Sequence, residues 1–133
     1  LRIGYGIGPA PLVALLNRVR DPFNVNSLAQ AAAAAALGDT EHVRASRAAN
    51  DAGRKFLTEQ FQAMGLTGVP SVANFLLLDV GRPGGEMTEA LLRRGVIVRP
   101  VGGYGFPTHL RITIGTAEEN EKCVAALKAA LQA

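Results

Sequence analysis

Three arginines, Arg2, Arg99 and Arg111, stand among β-branched and aliphatic neighbours instead of on a polar helix face. A guanidinium in that setting is expensive to bury unless an anion or a carboxylate answers it. Its planar fork suits bidentate capture of a carboxylate or phosphate. Any one of the three is equally well read as half of a protein ion pair or as a solvent-facing group; three together favour anion capture. Other chemistries find less support. Gly4-x-Gly6-x-Gly8 matches neither the dinucleotide fingerprint nor a phosphate loop ending in Gly-Lys-Ser or Gly-Lys-Thr. His42 falls on a polar helix face and His109 beside a strand edge, each isolated and read as a surface residue, so no nucleophile and base pair up. Cys123 is the single cysteine, which excludes an internal disulfide, and two scattered histidines do not complete a metal cluster with it.

The elements that must position these arginines follow from periodicity and punctuation. Leu1 to Ile7 reads as a strand running into a glycine turn. Pro9 and Pro11 suit the first turn of a helix through Leu12, Leu15, Leu16 and Val19. Asn26 or Ser27 caps a helix through the alanines to Leu37, stopped by Gly38. Asp39 or Thr40 caps a longer one, with a stripe at Val43, Ala48, Ala52, Phe56, Leu57, Phe61 and Met64 and a stop at Gly65. Beyond a turn at Gly68 to Ser71 the period changes. Strands are expected at Asn74–Val80, Val96–Arg99 and His109–Ile114, with a short helix from Glu86 to Arg94 between the first two. A capping box of Thr116 and Glu119 opens a last helix with Cys123, Val124, Leu127 and Leu131 on its apolar face. The fold class is therefore α+β: helices first, then a small, largely antiparallel three-stranded sheet covered by helices.

Composition narrows the partners. The chain has 133 residues, 48% of them hydrophobic, which is enough for one real core and argues against disorder. Its longest apolar stretch, Ala29 to Leu37, is far short of the ~20 residues a membrane span needs, so no membrane association is expected. The net charge of +3 is spread over helices that also carry Glu and Asp, which makes nucleic acid the weaker reading. A lone cysteine fits a reducing cytoplasm. The opening Leu1-Arg2-Ile3, without Met or leader, reads as the interior of a longer chain.

Several blocks, taken in order, resemble one family. They are Leu-Arg-Ile-Gly-Tyr-Gly-Ile at the start, Pro-Phe-Asn-Val-Asn-Ser-Leu-Ala-Gln-Ala-Ala from Pro22, Ala-Asn-Phe-Leu-Leu from Ala73, Val-Ile-Val-Arg-Pro-Val from Val96, and His-Leu-Arg-Ile-Thr-Ile-Gly-Thr-Ala-Glu-Glu-Asn from His109. Together they resemble the C-terminal portion of histidinol-phosphate aminotransferases, pyridoxal-phosphate-dependent enzymes of fold type I. The resemblance runs the length of the chain.

It implies an enzyme of histidine biosynthesis that transfers the amino group of histidinol phosphate to 2-oxoglutarate, giving imidazole acetol phosphate and glutamate. By resemblance, Arg2 binds the cofactor phosphate, Arg111 grips the anionic end of the substrate, and Arg99 assists with its phosphate. Residues 1–37 would be the end of the large cofactor-binding domain with connecting helices, and 38–133 the small C-terminal domain. The implied partners are the protein's own large domain and a second subunit, approached near Asn24 to Ala36. The family's Schiff-base lysine would lie upstream of Leu1. Lys55, Lys122 and Lys128 are all in helical contexts, so no catalytic residue is assigned and the chain alone should be inactive. An aromatic amino-acid aminotransferase or a decarboxylase of the same fold would want the same arginines, and β-α-β-β-α also suits a small ligand-binding regulatory module.

Overall fold

The computed structural model describes residues 1–132. It divides into two compact units, Leu1–Arg44 and Ala45–Ala133, with the division inside a helix.

The first unit holds α1 (Ala10–Val19) and α2 (Ser27–Gly38). Pro9 and Pro11 open α1, and α2 is capped by Asn26, whose Oδ1 accepts from the Ala29 N–H at 2.8 Å. Leu1 to Ile7, expected as a strand, forms none: a strand needs a neighbour to accept its ladder, and among the described residues nothing pairs there. Arg2 adopts a left-handed backbone conformation at φ 60°, which also breaks extension. Ala29 is fully buried, whereas Tyr5, Ile7, Val19 and Phe23 lie largely exposed. Ile3, Tyr5, Gln30, Ala33 and Leu37 line an apolar hollow of about 680 Å³.

From Asp39, whose carboxylate accepts from the His42 N–H at 2.9 Å, α3 (Thr40–Ala63) runs into the second unit. Its buried positions there are Gly53, Leu57 and Phe61, with Phe56 and Met64 partly covered. Ala48 and Ala52, expected in the stripe, are exposed. Gly53 takes over because the contact is too close for a side chain: a Cβ there would fall 2.6 Å from Ile114 Cγ2 and 2.8 Å from Asn120 Nδ2.

The sheet has four strands: β1 (Thr67–Val69), β2 (Phe75–Asp79), β3 (Arg99–Val101) and β4 (Phe106–Thr113), ordered β1-β2-β4-β3 and antiparallel throughout. The expected three-stranded sheet thus gains β1, where Thr67, Gly68 and Val69 pair with Asp79, Leu78 and Leu77. The strand expected at Val96–Arg99 moves to Arg99–Val101, with an irregular register after Pro100. Proline has no N–H for a ladder, and it is tolerated here because β3 is an edge strand.

One sheet face presents Leu76, Leu78, Leu110 and Ile112 to a core completed by Leu57 and Phe61 of α3, Met87 and Leu91 of α4 (Gly84–Leu92), and Val124 and Leu127 of α5 (Ala117–Leu131). The Thr116–Glu119 capping box opens α5 as expected, and Cys123 is a core residue. Asn120, buried in the same helix, accepts from the Gly115 N–H at 2.9 Å and donates to the Gly115 carbonyl at 3.1 Å. That two-way clamp ties the exit of β4 to α5.

Candidate functional site

The second face of the sheet carries the polar residues. Alternation along β4 sends His109, Arg111 and Thr113 away from the core formed by Leu110 and Ile112. Their partners on β2 are Asp79, Leu77 and Phe75 respectively, and on β3 Arg111 stands opposite Arg99. Directly opposed residues of an antiparallel pair share a face, with Cβ atoms roughly 4.5–5.5 Å apart, and like charges in that position repel.

Among the described residues no carboxylate pairs with Arg99 or Arg111. Arg99 is exposed; Arg111 is half-buried, and its Nε is buried without a hydrogen-bond partner. The Arg111 guanidinium carbon lies 5.2 Å from the centroid of the Phe75 ring. Arg99 and Arg111, with Ile97, Val98, Pro100 and Thr113, line a cleft of about 360 Å³. The cleft thus brings together two guanidinium groups, the planar donor type that suits a carboxylate or a phosphate.

Arg2 belongs to the first unit, where it is exposed and, among the described residues, likewise without a carboxylate partner. Its charge and free fork fit a phosphate dianion, and open space surrounds the neighbouring Gly4 and Gly6. The structure thus brings two of the three arginines together and leaves the third on a separate unit.

Among the described residues, the remaining titratable groups do not assemble a catalytic set. His109 stands on the inner strand β4, not beside an edge as its sequence context suggests. Its Nδ1 is 4.0 Å from Asp79 Oδ1, and its ring lies edge-on to Phe106 at 5.2 Å. The Gly81 N–H and then the Thr108 hydroxyl hold the Asp79 carboxyl below its ordinary range. Burial pushes the Cys123 thiol up, away from nucleophilic use. Lys55 reaches Glu59 at 4.0 Å on α3, and Lys128 on α5 donates to Gln60 Oε1 at 3.5 Å. Among the described residues no group of three or more His, Cys, Asp or Glu could hold a metal ion. Sequence reading missed Thr113 on the cleft wall and Phe75 against the Arg111 guanidinium; alternation from Arg111 points to the first, and only the β2–β4 register finds the second.

Residues 1–127 match the family model described as aminotransferase class I and II. Histidinol-phosphate aminotransferase 2 of Ralstonia nicotianae is 59% identical over 98% of this chain, which spans 36% of that protein's length. A crystal structure of the histidinol-phosphate aminotransferase from Clostridium acetobutylicum superposes with a TM-score of 0.80 at 24% identity, over 92% of this chain and 38% of that one. The enzyme of that name from Sinorhizobium meliloti, solved in complex with pyridoxal 5'-phosphate, gives 0.77 at 23% identity over 92% and 34%. At these identities the two structures report the fold.

Proposed function

The chain belongs to the class I and II aminotransferase family, and we propose that it forms the C-terminal, anion-gripping part of a pyridoxal-phosphate-dependent histidinol-phosphate aminotransferase using 2-oxoglutarate as acceptor. The observation that carries this reading is Arg99 directly opposite Arg111, with no carboxylate among the described residues paired to either. A phosphate or carboxylate in the cleft would turn a repulsive pair into a charge-assisted clamp.

Arg111 would take the anionic end of the donor in a bidentate contact and Arg99 would assist with the phosphate. Arg2 would hold the cofactor's phosphate. Bound pyridoxal phosphate supplies the electron sink for loss of the donor's Cα proton. The arginines supply orientation, holding the donor so that this bond is presented for reaction.

Residues 1–37 are assigned to the end of the large cofactor-binding domain and 38–133 to the small domain. The exposed apolar side chains of the first unit, with its alanine-lined hollow, support burial against the protein's own large domain and a second subunit. A cytoplasmic location is proposed from the single free, buried Cys123. No helix among the described residues is long and apolar enough to cross a membrane.

Arg111→Ala in the intact enzyme tests the reading. Loss of a charge-assisted bidentate contact costs about 1.5–3 kcal/mol, so kcat/KM should fall at least ~10-fold with fold and cofactor spectrum retained. Normal kcat/KM for every amino donor tried, or an unfolded variant, would overturn it.

A further inference from the structure

We propose that Phe75 is a positioning residue for Arg111, fixing the plane of its guanidinium so that the outer nitrogens face the cleft. The inference rests on the anion-binding reading of Arg111 given above. Arginine forks are selective only when held: a freely rotating guanidinium spends its charge but not its geometry. Hydrogen bonds from Nε commonly do the holding, and here Nε is buried with no partner. What lies against the guanidinium instead is the Phe75 ring, 5.2 Å from carbon to centroid, within the range over which an aromatic face attracts a cation.

The backbone that carries the ring is itself anchored. Phe75 lies on β2 opposite Thr113, diagonal to Arg111, whose direct partner is Leu77. Ser71 ties its backbone down: the hydroxyl donates to the Phe75 carbonyl at 2.9 Å and accepts from the Ala73 N–H at 3.0 Å. About one-third of Phe75 remains exposed, so core packing does not by itself explain an aromatic ring here. An aliphatic residue would fill the volume but lacks the electron-rich face that a cation requires.

The test uses the full-length holoenzyme with histidinol phosphate as donor and inorganic phosphate as a non-reacting competitor. Phe75→Leu should raise donor KM and the phosphate inhibition constant about 3- to 10-fold with kcat changed by less than about twofold, and Phe75→Tyr, which keeps the ring face, should restore both. In an Arg111→Lys background the same substitution should have less than about half that effect, since the two residues act as one unit. The proposal is overturned by an unchanged KM, by an equal effect in the Arg111→Lys background, or by a fall in kcat and Tm without a change in KM. Phe75→Met, also without a ring, provides the same comparison should the leucine variant not fold. Undiminished donor affinity in Arg111→Ala removes the anion reading and this proposal together, whereas an Arg111-dependent site indifferent to Phe75 removes this proposal alone.

Discussion

At Arg99 and Arg111 two positive side chains are opposed across β3 and β4, and their division of labour is measurable. Arg99 is exposed and Arg111 half-buried, so water screens the first more than the second. With Arg99 proposed to assist the donor's phosphate, Arg99→Ala should weaken a phosphorylated donor more than a carboxylated one, seen as a selective rise in KM for the former. Arg2→Ala should instead weaken cofactor retention first, read by the rate of pyridoxal phosphate loss on dialysis; retention at the normal rate would count against its assignment. Arg99 and Arg111 stood out in the sequence because charge in an apolar run is conspicuous, and the structure sets them opposite each other; Arg2 stood out in the same way but lies outside the sheet. Phe75 did not, because an apolar residue in an apolar strand is unremarkable until the β2–β4 register sets it diagonal to Arg111.

Among the elements, helices were easier to read than strands. Asn26, Asp39 and Thr116 announce their helices through local capping chemistry. β1 carries no such mark: Gly68 and Pro70 read as a turn, and only pairing with residues about ten positions onward makes Thr67–Val69 a strand. Gly53 was similarly hidden, since a helix-interior glycine reads as a weak point. Here it is a contact. Gly53→Ala would gain up to ~1 kcal/mol of helix propensity, but the new methyl meets a branched Ile114 and an Asn120 already held at both ends of its amide by Gly115. Overpacking of that kind costs about 1–3 kcal/mol. A net loss is expected, visible as a lower midpoint in denaturant unfolding; a stabilised variant would show that α3 shifts freely against β4.

For the molecule as a whole, the chain spans 36% of a relative's length, and its three lysines all lie on helices. Lys55 and Lys128 are engaged on α3 and α5, and Lys122 lies on α5 beside Gly95. The isolated chain, once shown to be folded by circular dichroism, should neither transaminate nor retain pyridoxal phosphate at one defined lysine after borohydride reduction; stoichiometric labelling with turnover would refute this. The intact enzyme is expected to be a homodimer through the Asn24 to Ala36 region, whose alanines permit close approach, and a fully active monomer in ultracentrifugation would refute that. The two outer strands, each of three residues, bear on a different property. Pro100 interrupts the donors along β3, and β1 is too short to template a long ladder. A stray extended peptide finds no continuous row of hydrogen-bonding groups at either margin, so the strand that lends Arg99 to the cleft also protects the sheet from aggregation by edge-to-edge growth.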